Sequence, residues 1–173
     1  MKTILLTLAG LLLFNNISAQ EMQTLKSVDL TKYVGLWYEV AKIPNRFQKQ
    51  CVKGTTAQYK LLKDGKIEVI NSCLTEEGEK DVADGLAQVV DKKTNSKLEV
   101  SFVSIFGIRL FWGDYWILGL GDDYEYAVVG TPSRKYGWIL SRTPLLEKQK
   151  LDKANEILKN AGYDIKKFEV SPQ

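Results

Sequence analysis

The feature that most constrains the fold is a succession of eight short segments in which apolar and polar residues alternate. Alternation with a period of two is typical of a β-strand that has one face buried and the other in solvent. Turn signals separate the segments; one of them is Asp64-Gly65, a pair that favours a tight type I′ hairpin. The predicted strands lie at 37–42, 55–62, 67–73, 81–90, 97–103, 115–120, 126–130 and 136–141.

No helical pattern interrupts these segments, so consecutive strands are expected to pair as an antiparallel meander. Two-sided alternation and short connections favour an all-β fold, an eight-stranded up-and-down β-barrel. After the last strand, apolar residues recur at helical spacing from Leu151 to Ala161, and Gly162 supplies a stop. Thr143 is the expected N-cap of this C-terminal α-helix, with Pro144 at its first position. Its narrow apolar stripe should pack against the outside of the barrel.

Residues 1–19 are expected to be a secretory signal sequence, followed by a single domain over 20–173. Lys2 precedes an apolar run at 4–14, and the small residues Ser18 and Ala19 suit a cleavage site. The apolar run is too short for a transmembrane helix. We therefore expect an exported protein, periplasmic or secreted. Residues 20–26 are interpreted as a loose arm.

Export makes the two cysteines informative, because disulfides persist in oxidising compartments. A Cys51–Cys73 bond would close a loop of roughly 22 residues, with a stabilisation of about 3 kcal/mol; two buried thiols are the alternative. The chain contains no histidine. That absence excludes triads with a histidine base, and also histidine-ligated zinc and haem. We predict no catalytic residue, no metal and no cofactor.

The charge pattern excludes another class of partner. The formal net charge is only +3, and basic and acidic residues are interspersed rather than clustered on one face. Nucleic-acid binding usually requires a clustered basic surface, so we expect no nucleic-acid partner. The protein is predicted to be a monomer or a weak dimer.

The first predicted strand contains an unusual group of residues. Alternation places Trp37, Glu39 and Ala41 on one face, and the first of them lies two residues after Gly35. A buried indole N–H needs a hydrogen-bond partner, and so does a buried carboxylate.

Three segments together resemble the signatures of the lipocalin family. They are 35–39; 114–118 with 122–124 and 126–129 after it; and 138–143. Residues 41–47 are most similar to the branch that holds bacterial lipocalins and apolipoprotein D. Bacterial outer-membrane lipocalins usually have a lipoprotein cysteine just after the signal, and this chain has none there. If the protein associates with the outer membrane, we therefore expect it to do so without a lipid anchor.

The resemblance implies a cup that is open at one end and stores or transports an apolar molecule. It also implies that Trp37, in the segment that Gly35 opens, packs at the closed end with Arg142 lying across it. An arginine stacks well on an indole face and can still donate to carbonyl oxygens. The alternative for Arg142 is an anion hook inside the cup.

Ligand contacts are expected from apolar residues on inward strand faces near the open end. The candidates are Tyr59, Leu61, Val100, Phe102, Trp116 and Leu118, with Phe47 as a lid in the loop after the first strand. For each of them the alternative is ordinary core packing.

The segment 104–113 is far more apolar than loops usually are. Phe106, Phe111 and Trp112 stand where solvent is expected, and Arg109 could meet a lipid headgroup. Exposed apolar clusters usually mark a contact with a ligand, a partner or a membrane. The alternative is a loop that folds back over the barrel.

The resulting hypothesis is an exported, non-enzymatic carrier of a fatty acid, lysophospholipid or similar small amphiphile, for transport or storage in the cell envelope. One alternative is a lipid-modifying enzyme that uses Glu39 or a cysteine thiol in the same cup. The other is a protein-interaction module that uses the apolar loop 105–112, and transient membrane contact is also expected of this loop.

Overall fold

The structure is a computed structural model that describes residues 21–173. The predicted signal sequence at 1–19 lies outside the described residues. The strands are β1 Gly35–Lys42, β2 Lys53–Leu61, β3 Ile67–Leu74, β4 Lys80–Val89, β5 Lys97–Ser101, β6 Val103–Ile105, β7 Ile108–Leu110, β8 Gly113–Leu120, β9 Tyr126–Gly130, β10 Gly137–Ser141 and β11 Glu169–Val170. The α-helices are α1 Leu30–Tyr33 and α2 Lys148–Asn160, and short 3₁₀ turns lie at Arg46–Gln48 and Ile165–Lys167.

Eight of the strands form a closed antiparallel barrel. Their order is β1-β2-β3-β4-β5-β8-β9-β10, and β10 pairs back to β1. The seam joins Tyr38 to Ser141 and Lys42 to Trp138. The short β11 adds to the other edge of β1. The predicted all-β up-and-down barrel is confirmed.

Buried side chains form two clusters, one inside the barrel and one between the barrel and α2. Trp37, Leu98 and Ile117 belong to the inner cluster. Ala154 and Leu158 of α2 belong to the outer cluster and are fully buried. The C-terminal helix therefore packs outside the barrel, as predicted.

The predicted start of this helix was wrong. The helix begins at Lys148, and Glu147 at the N-cap position makes no side-chain capping hydrogen bond. The Thr143 hydroxyl instead donates to the carbonyl oxygen of Leu145 at 2.7 Å. The Thr-Pro pair thus belongs to the connection that precedes the helix.

Two segments that were expected to be irregular have a defined structure. In the presumed arm, Met22 is buried, and the Leu25 amide donates to the carbonyl oxygen of Ile117 at 3.3 Å. The apolar segment after β5 is a hairpin, with β6 and β7 joined by Phe106 and Gly107. Both turn residues have positive φ, 49° and 80°, as a type I′ turn requires.

Candidate functional site

The closed end of the barrel is built from α1, Trp37 and Arg142. Trp37 is fully buried, and its indole Nε1 donates to the carbonyl oxygen of Tyr33 at 2.8 Å. The Arg142 guanidinium carbon lies 3.7 Å from the centre of the Trp37 ring. The guanidinium also donates to the carbonyl oxygens of Lys32 at 2.6 Å and Leu36 at 2.8 Å. Arg142 thus lies where the resemblance implies. It is not part of the wall of the cavity described below. The alternative that Arg142 binds an anion inside the cup therefore has no geometric support.

Gly35 gives Arg142 the space it needs. Its φ of +102° lies in the region that favours glycine, and an added Cβ would stand 3.3 Å from Arg142 Nη1. The glycine therefore allows the guanidinium to approach the start of β1.

Above this closed end lies a cavity of about 880 Å³, which opens toward solvent between the loops at the other end. Small-molecule sites usually have volumes of about 300–1,000 Å³. Much of the wall is apolar, and its apolar residues include Ala57, Ile67, Val69, Ala87, Leu98, Val100, Phe102, Val103 and Leu140. The arrangement can enclose a small, largely apolar molecule.

The floor of the cavity is polar at one point, where three tyrosine hydroxyls meet. The Tyr115 hydroxyl lies 2.6 Å from that of Tyr33 and 3.0 Å from that of Tyr59. Burial raises the pKa of Tyr59 to about 12. Burial also raises the pKa of Tyr33 and of Tyr115 well above the ordinary value. All three side chains are therefore neutral hydrogen-bond donors at physiological pH.

Four of the residues that were predicted to contact a ligand line the cavity. Phe47, Tyr59, Val100 and Phe102 belong to its lining. Phe47 lies in the mouth loop, mostly exposed, with its ring 5.7 Å from that of Tyr136. These contacts make the four side chains available to a ligand.

The predicted cavity positions of Leu61, Trp116 and Leu118 were wrong. Leu61 is at the end of β2, two residues beyond Tyr59, and is partly exposed. Trp116 and Leu118 face outward and pack in the cluster beneath α2. On β8 the inward positions belong to Tyr115 and Ile117, which join the inner cluster.

Glu39 does face inward and is only 3 % exposed, although it is a carboxylate. Its Oε1 accepts from Lys42 Nζ at 2.9 Å and from the Ser171 hydroxyl at 2.7 Å. Its Oε2 accepts from Gln48 Nε2 at 2.6 Å, and Gln48 in turn accepts from the Trp138 indole at 3.2 Å. The charge of the carboxylate is thus balanced by that of Lys42, and both of its oxygens accept hydrogen bonds.

The wall also contains an unpaired polar atom. Asn71 lines the cavity, and its buried Oδ1 has no hydrogen-bond partner among residues 21–173. Tyr33, Tyr115, Gln48 and Asn71 were all missed from the sequence. Only Tyr115 had a signal there, because it lies in the second signature segment next to Trp116.

The hairpin at the mouth leaves its apolar side chains exposed. Phe106 at the turn is fully exposed, Phe111 is 80 % exposed and Ile108 is 64 % exposed. Trp112 is partly buried. Arg109 forms an ion pair with Asp84 and donates to the carbonyl oxygen of the same residue at 3.1 Å. The hairpin is therefore joined to β4 through Arg109, while the apolar side chains at its turn stay exposed to solvent.

The predicted disulfide is present between Cys51 and Cys73, with a Cα–Cα distance of 5.4 Å. Together with Asp81 the two sulfurs form a compact group, within 4.8 Å of one another. Because both sulfurs are in the disulfide, they are not thiolate ligands for a metal.

Comparison with known proteins agrees with this geometry. The family model of the lipocalin-like domain matches residues 28–173. This chain is a lipocalin. The outer membrane lipoprotein Blc of Vibrio cholerae is 38 % identical over 167 residues, covering 95 % of this chain and 94 % of that protein. Temperature-induced lipocalin-1 of Arabidopsis thaliana is 38 % identical over 157 residues, covering 89 % of this chain and 84 % of the plant protein.

Solved structures support the same fold. Insecticyanin from the tobacco hornworm Manduca sexta superposes with a TM-score of 0.71 at 26 % identity, covering 88 % of this lipocalin and 85 % of insecticyanin. Within residues 21–173, no helix is long and apolar enough to cross a membrane.

Proposed function

We propose that this lipocalin is an exported carrier that holds a fatty acid, lysophospholipid or similar small amphiphile, for transport or storage in the cell envelope. The observation that supports the proposal is the 880 Å³ cavity, closed at one end by the tyrosine floor and open at the other. The V. cholerae relative is named an outer membrane lipoprotein, and this supports the envelope as the place of action.

The cavity wall suits both parts of an amphiphile. Burying each methylene of an acyl chain contributes about 0.8 kcal/mol, so ten buried methylenes offer about 8 kcal/mol before the cost of association. Charged wall residues have both signs, since Arg46 lies beside the mouth and Asp81 and Asp114 also line the cavity. A zwitterionic headgroup could therefore find partners of either sign.

The groups on which the enzyme alternative depends, the two cysteines and Glu39, are engaged within the protein. The two cysteines have no free thiol because they form the disulfide. Glu39 is bonded to Lys42, Gln48 and Ser171, so its carboxylate is engaged by the protein. Binding without chemistry is the function that these side chains favour.

Native mass spectrometry after incubation with mixed lipids tests the proposal. We expect lipid adducts on the wild-type protein and far fewer on Ala57→Phe, because Ala57 is a small residue of the cavity wall. Gln58→Phe is the matched control, since the neighbouring Gln58 is exposed. Detection of apo protein alone, or equal adducts on both variants, would contradict the proposal.

We further propose that the β6–β7 hairpin contacts a phospholipid bilayer. Phe102, Val103 and Phe111 join the cavity wall to the exposed hairpin, which would connect the cavity to a membrane. Phe106 has φ 49°, a conformation that favours asparagine or glycine, and its ring is fully exposed. A phenylalanine at such a position is explained more readily by an external contact than by stability of the fold.

Vesicle flotation, combined with a measurement of stability, separates membrane contact by Phe106 from its effect on the fold. Phe106→Asn suits the turn, so the free energy of unfolding should stay equal or rise, while binding to vesicles should fall about tenfold or more. Leu145→Asn is the control, because Leu145 is also exposed but lies on the connection to α2. Equal vesicle binding by Phe106→Asn and Leu145→Asn would contradict membrane contact. If the wild-type protein binds no vesicles and Phe106→Asn abolishes capture of a partner protein, the protein-interaction alternative is favoured.

A further inference from the structure

The tyrosine cluster on the cavity floor has one more O–H group than the hydrogen bonds within it use. Three hydroxyl groups share two contacts, Tyr33–Tyr115 and Tyr59–Tyr115. Each hydroxyl has one proton to donate. Two contacts use two protons, so one O–H is left over.

The surplus does not depend on how the hydroxyls are oriented. If Tyr33 donates to Tyr115 and Tyr115 to Tyr59, the proton of Tyr59 is left; the reverse order leaves that of Tyr33. If both outer residues donate to Tyr115, the proton of Tyr115 is left. Among residues 21–173 these hydroxyls make no other hydrogen bond.

The surroundings make this surplus donor costly to leave unpaired. All three tyrosines line the cavity, and Tyr33 and Tyr59 are more than nine-tenths buried. Apolar wall residues such as Ile67 and Leu98 belong to the same buried cluster and offer no side-chain acceptor. A buried donor without a partner costs about 1–3 kcal/mol.

We infer that the Tyr33–Tyr59–Tyr115 cluster is a donor site for a ligand that has an oxygen acceptor at its inner end. The ligand class is an amphiphile that is polar at both ends, such as an acyl chain with a keto or hydroxyl group near its terminus. A plain alkyl terminus would cover the surplus O–H and leave it unpaired. The inference rests on the proposed carrier function and specifies the ligand of that same cavity.

The pKa shifts are consistent with this class. Burial raises the pKa of Tyr59 to about 12, so the cluster stays protonated and uncharged over the physiological range. It can thus donate to a neutral carbonyl or hydroxyl oxygen at any pH at which the protein is expected to work.

The test compares hexadecanoic acid with 15-oxohexadecanoic acid, whose ketone oxygen can only accept. The wild-type protein should bind the keto acid about threefold to tenfold more tightly, as expected for one added hydrogen bond. The triple variant Tyr33→Phe, Tyr59→Phe, Tyr115→Phe should lose this preference. Tyr38→Phe is the control and should keep it, because Tyr38 lies on the outer face of β1, next to inward Trp37.

The outcomes distinguish the two levels of the proposal. If the wild type binds neither acid, the carrier function fails; if it binds both equally, the donor site fails while the carrier function stands. A preference that persists in the folded triple variant would also overturn the donor site. If that variant does not fold, infrared spectroscopy of the keto acid bound to the wild-type protein decides. A hydrogen-bonded ketone absorbs at lower frequency than the same ketone in alkane solvent. An unshifted carbonyl band would refute the inference.

Discussion

Replacing Arg142 by lysine should destabilise the barrel without weakening ligand binding. The guanidinium stacks 3.7 Å from the Trp37 ring centre and donates to five carbonyl oxygens, those of Lys32, Tyr33, Val34, Leu36 and Tyr124. A lysine keeps the charge but lacks the planar fork, so it cannot stack and donate in several directions together.

The magnitude follows from the contacts that lysine cannot make. The cation–π contact contributes about 1–2 kcal/mol, and one lost hydrogen bond to a charged group about 1.5–3 kcal/mol. We therefore expect Arg142→Lys to lower the free energy of unfolding by about 3 kcal/mol. Urea denaturation followed by tryptophan fluorescence measures this loss as a shift in midpoint.

Two further measurements make this prediction refutable. Arg46→Lys should change the free energy of unfolding by less than about 0.5 kcal/mol, because Arg46 is exposed. The affinity of Arg142→Lys for hexadecanoic acid should stay within about twofold of wild type, since Arg142 is not part of the cavity wall. Unchanged stability combined with a large loss of affinity would refute the structural role and favour the anion hook.

Three other predictions concern the disulfide, the tyrosines and the helix. Cys51→Ala with Cys73→Ala should lower the free energy of unfolding by about 3 kcal/mol, measured by urea denaturation. Tyr59 should ionise with a pKa of about 12, measured by tyrosinate absorbance. This folded-state pKa exceeds the unfolded value of about 10. The contribution of Tyr59 to stability is therefore complete below pH ~10 and is lost as the pH rises to ~12. Leu158→Ala should lower the free energy of unfolding by about 2–5 kcal/mol while leaving the affinity for hexadecanoic acid unchanged, since Leu158 of α2 is fully buried against the outside of the barrel and does not line the cavity.

The fold was predictable because most barrel strands have one apolar and one polar face. β8, like β9 and β10, has both faces buried: Tyr115 and Ile117 face inward while Trp116 and Leu118 pack in the cluster beneath α2. When both faces of a strand are buried, alternation no longer tells inside from outside. Alternation therefore predicted the wrong inward face for β8, and the predictions of Trp116 and Leu118 as ligand residues were wrong.

The polar parts of the site could not be read from local patterns. The partners of Glu39 include Ser171, which is 132 positions away, and Tyr33 and Tyr115 meet over 82 positions. Such pairs arise only when the barrel closes, and period-two alternation contains no information about them. The hairpin turn Phe106-Gly107 was missed for a different reason, because phenylalanine rarely occupies that turn position.

The seam between β1 and β10 has a consequence for biosynthesis. Ser141 pairs with Tyr38, and Arg142 reaches Lys32 across 110 positions, so the earliest strand waits for the latest one. A nascent chain that lacks β10 leaves β1 as an open edge, which invites pairing with other chains. Such long-range closure is expected to take milliseconds to seconds. The binding cavity consequently forms only once β10 is available to close the barrel, so its timing is governed by the C-terminal third of the chain.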